Sequence, residues 1–177
     1  SALLSEEMRL DGPRAFATGD ERTALRGAFP EGAGIVLISG TGMICLGRNE
    51  QGSEHRCGGW GWLLDGGGSA FDLGHQGLQL CLQMADGRLP EHPLRQEIWR
   101  SMGCDSSAAV KARAVQPDFG AAGFATLAPL LVAAAEQGLE EAEAIVRRSA
   151  ETLSASAETV ASRPVSYTHL TLPTNVA

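Results

Sequence analysis

A dense set of glycines constrains this chain more than any other feature. Ten glycines fall between Gly40 and Gly68, directly after an apolar run at 35–38. Each glycine inside a helix or strand costs about 0.5–1 kcal/mol relative to alanine, so ten of them predict backbone with positive φ or close approach to a neighbour. Turn glycines of a loop-rich β domain explain part of the set. They do not explain Ser39-Gly40-Thr41-Gly42, whose amides and Thr41 hydroxyl predict a phosphate-binding loop after a buried strand.

The composition is that of a folded domain without a surface for polyanions. The 177 residues are 44% hydrophobic, which is enough to bury a core in one domain or two small ones. Fourteen basic residues stand against 21 acidic ones, and no Lys/Arg cluster is long enough to follow a nucleic-acid backbone. No apolar run reaches the roughly 20 residues that span a bilayer, and no basic-then-apolar leader opens the chain. We therefore expect neither nucleic-acid nor membrane binding, and a cytoplasmic location.

The cysteines are too few for a disulfide scaffold and lack zinc-ligand spacing. They are Cys45, Cys57, Cys81 and Cys104. A hairpin loop predicted at 49–52 sets Cys45 beside Cys57. We interpret the two as packed thiols. A redox pair, or a metal site completed by His55 and His75, is the alternative, and no residue is assigned to a metal.

The spacing of apolar residues predicts strands first and helices after them. Strands are expected at 14–18, 35–38, 43–47 and 53–58, with a short helix at 21–28. Further helices are expected after Ser69, a candidate N-cap, and at 92–102, 106–114, 121–137 and 139–162. Pro129 should kink or divide the segment 121–137. The last helix carries an apolar stripe of Leu139, Ala142, Ile145, Val146, Ala150, Leu153, Ala157, Val160 and Ala161. This order predicts an α/β protein.

Asp20 is the first candidate for chemistry. It follows a predicted strand, about 20 residues before the glycine-threonine loop, and would lie near that loop if the two strands were adjacent. A carboxylate there could accept a proton from a hydroxyl that attacks phosphorus. The alternative is an aspartate that caps the helix beginning at Glu21.

A second candidate is the aromatic segment after the hairpin. Trp60 and Trp62 flank Gly61, and an aromatic face beside bare backbone suits a sugar ring or a base. The alternative is a tryptophan lid over the sheet. Asp65 could hydrogen-bond sugar hydroxyls or hold its own glycine turn. His75 is interpreted as a packed histidine on a helix face.

These segments together resemble a known family. The run 34–42, followed by Cys45, the segment 57–61 and the stretch 68–76, resembles the N-acetylglucosamine kinases within the BadF/BadG/BcrA/BcrD ATPase family, of the actin/hexokinase/Hsp70-like superfamily. The resemblance extends from about residue 15 to 162. It implies part of a duplicated ribonuclease-H-like fold, with ATP in an interdomain cleft and Mg²⁺ to offset phosphoryl charge. It also implies phosphoryl transfer to N-acetylglucosamine or glucosamine as the small-molecule partner, and a homodimer is compatible with it.

The resemblance assigns a role to each candidate residue. Asp20 matches the family's catalytic aspartate, which acts as the base. Gly40, Thr41 and Gly42 match the second phosphate loop, and Trp60, Gly61 and Trp62 match a sugar-contacting segment. Two residues depart from the family pattern, because Met43 stands for a serine and Gly66 for a sugar-binding aspartate. Asp65 is the candidate substitute for that aspartate.

The family pattern also predicts how the chain is divided. Residues 1–30 are interpreted as the end of an N-terminal lobe, 31–163 as an incomplete C-terminal lobe, and 164–177 as a tail foreign to the protein. An upstream Asp-Gly-Gly-Gly-Thr phosphate loop and a Gly-Gly adenosine segment expected past residue 163 do not occur in the sequence. We therefore expect this piece alone to be inactive.

Two rival functions remain open at this point. The same family includes ATPases that activate a partner redox enzyme through an iron–sulfur cluster, for which Cys45 and Cys57 are poor ligands. The second rival is a non-catalytic sugar sensor on the kinase scaffold, which the departures at Met43 and Gly66 favour.

Overall fold

The computed structural model describes residues 19–163, so the predicted strand at 14–18 and the segment 164–177 lie outside the described residues. The first half holds one helix and three strands, in the order α1 (Asp20–Ala28), β1 (Gly34–Ser39), β2 (Met43–Arg48) and β3 (Glu54–Gly58). Six helices follow, which are α2 (Ala70–Ala85), α3 (Pro93–Ser101), α4 (Ser107–Ala114), α5 (Gly120–Ala125), α6 (Ala128–Glu136) and α7 (Glu140–Ser162). The predicted fold class, strands and a hairpin followed by a helical C-terminal half, is confirmed. The proposed lobe boundary at residue 30 stays a prediction.

The three strands form one antiparallel sheet in the order β1-β2-β3. In its register Leu37 pairs with Cys45, and Cys45 pairs with Cys57, so the predicted hairpin is confirmed. Asn49 shapes the hairpin turn, because its Oδ1 accepts the Ser53 amide at 2.7 Å. Alternate residues of a strand face opposite sides of the sheet, and both sides are covered here.

A helix packs on each face of the sheet. On one face, Leu25 of α1 is buried with Val36 and Leu46. On the other face, Val160 of α7 is buried with Ile35 and Cys45. The sheet is therefore the middle of three layers.

A helical core stands beside this sandwich, with α2 at its centre. Two glycines of α2 face neighbouring helices. A Cβ on Gly74 would lie 1.8 Å from the carbonyl oxygen of Phe124, and one on Gly77 would lie 3.4 Å from Leu131 Cβ. Buried residues of the surrounding helices, among them Ile98, Val110 and Leu131, complete this core. The glycine at 74 lets α5 approach the α2 backbone directly.

Helix α7 joins the helical core to the sheet, but its buried face differs from the predicted stripe. Ala142 and Ile145 are buried in the helical core, and Val160 is buried on the sheet. Between them Ser149 and Ser156 are buried, whereas Ala150 and Ala161 are exposed. The predicted apolar stripe was wrong at these positions, because the buried face of α7 includes Ser149 in place of its neighbour Ala150 and ends at Val160 before Ala161. Ser156 tolerates burial since its hydroxyl donates to the Thr152 carbonyl at 2.9 Å.

The helix boundaries follow the local signals in the sequence. Ser69 caps α2, because its Oγ accepts the Asp72 amide at 3.2 Å, as predicted. The segment 121–137 is divided, and Pro129 lies in the first turn of α6, where its missing N–H costs nothing. Within residues 19–163 no single helix has the length and apolar character to cross a membrane. The pair Gly120–Glu136 and Glu140–Ser162 meets those criteria only together, with a 117° bend between its parts.

Candidate functional site

The glycine-threonine loop connects β1 to β2 and is open on one side. Gly40, Thr41 and Gly42 are all exposed, and a Cβ on either glycine would meet no atom within 4 Å. The Gly40 amide donates to the Gly42 carbonyl at 2.9 Å, which closes the turn. Within the described part of the chain, the amides of Thr41 and Gly42 and the Thr41 hydroxyl have no hydrogen-bond partner. Three free donors on an unobstructed turn fit an anionic oxygen cluster such as a phosphate.

Two hydrogen bonds hold this loop against the start of α2. The Ala70 amide donates to the Gly40 carbonyl at 2.7 Å, and the Ser39 hydroxyl donates to the Gly68 carbonyl at 2.7 Å. The turn at 66–69 is closed in its own right, because Ser69 Oγ donates to the Gly66 carbonyl at 2.5 Å. Asp72 accepts the Gly68 amide at 3.2 Å, one residue before the N-cap. The loop therefore rests on a well-satisfied helix terminus.

The tryptophan segment lies at the end of β3 and is solvent-facing. Trp60 is 71% exposed and Trp62 is 42% exposed, so Trp60 does not cover the sheet. Gly59 and Gly61 on either side of Trp60 have φ of 75° and 94°, values that side chains disfavour, which explains part of the glycine count. Arg56 fixes the segment, since its guanidinium donates to the carbonyls of Gly58 and Gly59 and stacks over Trp60 at 5.4 Å.

Trp62 begins an aromatic row that leads into the helical core. Its ring lies 4.9 Å from Phe71, and Phe71 stacks on His75 with centroids 5.5 Å apart. His75 also meets the edge of Phe124 at 5.3 Å. The interpretation of His75 as a packed histidine agrees with these contacts.

Asp65 and the departures from the family pattern lie together beneath the tryptophan segment. The Asp65 amide donates to the Gly61 carbonyl at 2.8 Å, while its carboxylate has no recorded partner within residues 19–163. Met43 is 4% exposed, and its Sδ and Cε lie 3.0 Å from where a Cβ on Gly58 would be. A side chain at position 43 thus faces the interior, so the departure from serine changes the packing under Gly58 rather than the open side of the loop.

Gly66 occupies a place with no room for a side chain. A Cβ there would lie 2.7 Å from the Trp62 carbonyl oxygen and 3.1 Å from Phe71 Cδ1. The turn 61–66 is closed so tightly that the family's aspartate would not fit in this conformation. The closed turn therefore requires the glycine that stands at position 66 in place of the family's aspartate.

Asp20 lies in the first turn of α1 and is exposed. The N-cap is Gly19 and no side chain caps the helix, so the alternative reading of Asp20 as the cap is wrong. The turn is tied to the sheet by an ion pair of 2.7 Å between Arg22 and Glu54, at the start of the strand that leads to Trp60. No hydrogen bond or ion pair described in residues 19–163 joins Asp20 to the 40–42 loop. Its role as a base stays a prediction.

The cysteine pair is covered by α7. Cys45 is fully buried with Val160 and Ile35, and burial, with a smaller contribution from Cys57, raises the pKa of the Cys45 thiol to about 11. All four cysteines are free thiols. Residues 19–163 contain no group of three or more His, Cys, Asp or Glu side chains placed to share a metal ion. The metal site with His55 and His75 is therefore not formed in the described chain.

A groove of about 700 Å³ lies between α2 and α4, with His75 of the aromatic row among its lining residues. Leu82, Val110, Lys111 and Phe124 are among its lining residues. None of the residues predicted for phosphate or sugar belongs to it. Of those predicted residues, Asp65 lies beside Gly58 and Met43, since its Oδ2 is 3.4 Å from where a Cβ on Gly58 would be. The 40–42 loop is connected to the segment of Trp62 and Asp65 through the turn at 66–69.

Sequence reasoning missed the residues that hold the two loops in place. Ser39 was included in the predicted phosphate loop, but its hydroxyl was assigned no role, and neither was Arg56. Ser69 was found as a helix cap, and its contact with Gly66 extends that role. The bond of the Ser39 hydroxyl gave no signal in the sequence, because its partner is 29 residues away.

Comparison with known proteins defines the class first. A protein from Chromobacterium violaceum, solved as a candidate N-acetylglucosamine kinase, superposes with a TM-score of 0.75 over 90% of this chain and 55% of its own, at 30% identity. A second candidate N-acetylglucosamine kinase, from Porphyromonas gingivalis, gives a TM-score of 0.60 over 75% of this chain and 44% of its own, at 21% identity, which shows the fold alone. The chain has the α/β fold of these actin/hexokinase-like proteins.

The family follows from the sequence comparison. The model of the BadF/BadG/BcrA/BcrD ATPase family matches residues 13–171, and the chain belongs to this family. The N-acetylmuramic acid/N-acetylglucosamine kinase of Clostridium acetobutylicum is 39% identical over 75 residues, 42% of this chain and 24% of that protein. The N-acetyl-D-glucosamine kinase of Dictyostelium discoideum is 33% identical over 121 residues, 68% of this chain and 38% of that protein. The chain thus spans well under two thirds of the relatives it matches.

Proposed function

We propose that this chain supplies the second phosphate loop and the sugar-contacting segment of an ATP-dependent amino-sugar kinase acting on N-acetylglucosamine or glucosamine. The observation that carries the proposal is the 40–42 loop, which is bonded to the start of α2 and has three donors on its open side that no group in the described part of the chain accepts. Family membership and the names of the relatives support the same reaction.

The chemistry assigns each segment one task. Bound ATP would provide the phosphoryl group, and Mg²⁺ would offset its charge. The Thr41 hydroxyl and the amides of Thr41 and Gly42 would bind phosphate oxygens and hold them in place. Trp60 and Trp62 would offer ring faces to the sugar, with the unpaired Asp65 carboxylate accepting its hydroxyls. Asp20 would accept the proton of the attacking sugar hydroxyl.

The phosphate assignment is tested by removing one hydroxyl. We expect Thr41→Val to weaken binding of Mg·ATP about tenfold or more in calorimetry, because a hydrogen bond to a charged group contributes about 1.5–3 kcal/mol. Thr23→Val is the matched control, since Thr23 is exposed on α1 and its side chain makes no hydrogen bond within residues 19–163. Equal affinities for the two variants would reject the loop as the phosphate site.

The base assignment is tested in a longer protein that carries this chain and transfers phosphate. We expect Asp20→Asn to abolish transfer from radiolabelled ATP while sugar binding is retained. Unchanged turnover in that variant would reject Asp20 as the base. A cytoplasmic location and a homodimer belong to the same proposal, and gel filtration with light scattering measures the second.

A sugar sensor on the same scaffold is the second candidate function. The specific observation in its favour is Gly66, where the closed turn leaves no room for the family's aspartate. Sugar binding with no ATP turnover in the longer protein would favour the sensor over the kinase.

A further inference from the structure

We propose that Ser39 is a positioning residue that makes phosphate binding at the 40–42 loop and sugar binding at the tryptophan segment favour each other. The inference rests on the proposed function, because it couples the same two loops. Ser39 lies next to the phosphate loop, yet its hydroxyl is directed to the other loop and donates to the Gly68 carbonyl at 2.7 Å. We call this hydrogen bond the Ser39 bridge.

The path from the Ser39 bridge towards the tryptophans is short and is hydrogen-bonded as far as Gly66. Gly68 is followed by Ser69, whose hydroxyl and amide both donate to the Gly66 carbonyl, at 2.5 and 3.1 Å. Between Gly66 and Trp62 the turn is crowded, because a Cβ on Gly66 would lie 2.7 Å from the Trp62 carbonyl oxygen. A displacement of Ser39 is therefore passed to Gly66 by hydrogen bonds and on to Trp62 through this crowded turn.

The 66–69 turn is also confined from behind. A Cβ on Gly68 would lie 2.7 Å from Leu153 Cδ2, and one on Gly67 would lie 3.3 Å from Thr152 Cγ2, both on α7. The Gly40 carbonyl accepts the Ala70 amide at 2.7 Å, which gives the loop a second attachment to the same turn. Because packed contacts of this kind do not deform gradually, the two loops are expected to order together. A ligand that orders one loop then lowers the entropic cost of ordering the other.

The experiment measures coupling rather than affinity. Calorimetry on a longer protein that carries this chain gives the dissociation constant of N-acetylglucosamine with and without saturating Mg·adenylyl imidodiphosphate. We expect the nucleotide to tighten sugar binding about fivefold or more in the unmodified protein. Ser39→Ala should reduce this ratio to within about twofold of one, and Ser39→Thr, which keeps the hydroxyl on a strand residue, should restore it. Ser101→Ala is the matched control, because Ser101 is exposed at the end of α3 and its hydroxyl makes no hydrogen bond to any part of the chain between residues 19 and 163.

A purely structural role would give a different result. General destabilisation lowers the affinities for both ligands or the melting temperature. It leaves unchanged the ratio of the sugar dissociation constants measured without and with nucleotide. Hydrogen exchange supplies the independent readout, since loss of the Ser39 bridge should speed exchange of the Ala70 amide, and unchanged exchange in Ser39→Ala would overturn the inference.

The outcomes separate the inference from the proposed function. The inference is overturned, and the proposed function stands, if both ligands bind but neither changes the affinity for the other. The same conclusion follows if nucleotide tightens sugar binding in Ser39→Ala as much as it does without the substitution. If neither ligand binds, the proposed function fails and the inference fails with it.

Discussion

At the scale of single residues, the two loops are shaped by places where a side chain cannot go. Gly66 has ordinary backbone angles but is blocked by the Trp62 carbonyl and Phe71. Gly27 on α1 is the opposite case, since a Cβ there would meet nothing within 4 Å. The two positions separate the cost of crowding from the general effect of removing a glycine.

We predict that Gly66→Ala lowers the free energy of unfolding by about 1–3 kcal/mol, the usual cost of overpacking. Gly27→Ala should raise it by about 0.5–1 kcal/mol, because alanine is the better residue inside a helix. Urea denaturation followed by circular dichroism measures both changes. A Gly66→Ala variant as stable as the unmodified chain would mean that the turn has room for the family's aspartate.

The sequence singled out these loops but not the contacts that shape them. The loop 40–42 and Trp60 were chosen because glycine, threonine and aromatic residues leave a local pattern, and their binding roles, like that of Asp65, stay predictions. The Ser39 bridge and the blocked space at Gly66 depend on residues brought together only by the fold. Ser149 and Ser156 were missed for another reason, since a serine hydroxyl can bond its own helix and be buried like a small apolar residue.

At the scale of elements, α2 decides how closely the helical core can pack. Its two glycines look alike in sequence, yet Gly74 is in contact with the α5 backbone and Gly77 has ordinary van der Waals distances to Leu131 and Ile98. A crossing that depends on backbone contact tolerates no Cβ, because neither backbone can rotate away.

We predict that Gly74→Ala is far more costly than Gly77→Ala. The first change places a methyl group 1.8 Å from the Phe124 carbonyl and should destabilise the fold by about 3 kcal/mol or more. The second should be close to neutral, since the gain in helix propensity offsets minor crowding. Equal midpoints of urea denaturation for the two variants would contradict the close approach of α5 to α2.

Element boundaries were the part of the fold that the sequence predicted well. The cap at Ser69, the hairpin turn at 49–52 and the break before Pro129 are set by local chemistry, and each was confirmed. The three-layer order with α1 and α7 on opposite faces was not predicted, because it depends on which helix returns to the sheet after the helical core.

At the scale of the whole molecule, α7 is the element shared by the sheet and the helical core. Its first half buries Ala142 and Ile145 among the core helices, and its second half buries Val160 on the sheet. The chain's two parts should therefore unfold together as long as α7 is one continuous helix.

We predict that Ala150→Pro separates them. Ala150 is exposed in the middle of α7, so the change removes a helical hydrogen bond and adds a ring clash without touching either core, at a cost of about 3 kcal/mol. Amide exchange of β1–β3 should then report a lower opening free energy than that of α2, whereas the unmodified chain should give one value for both. Ala150→Gly is the control, expected to lower both values equally by about 1 kcal/mol. If Ala150→Pro lowers the opening free energy equally in the sheet and in α2, the two parts are coupled by the turn at 66–69 rather than by α7. That turn is the other hydrogen-bonded connection between β1 and α2.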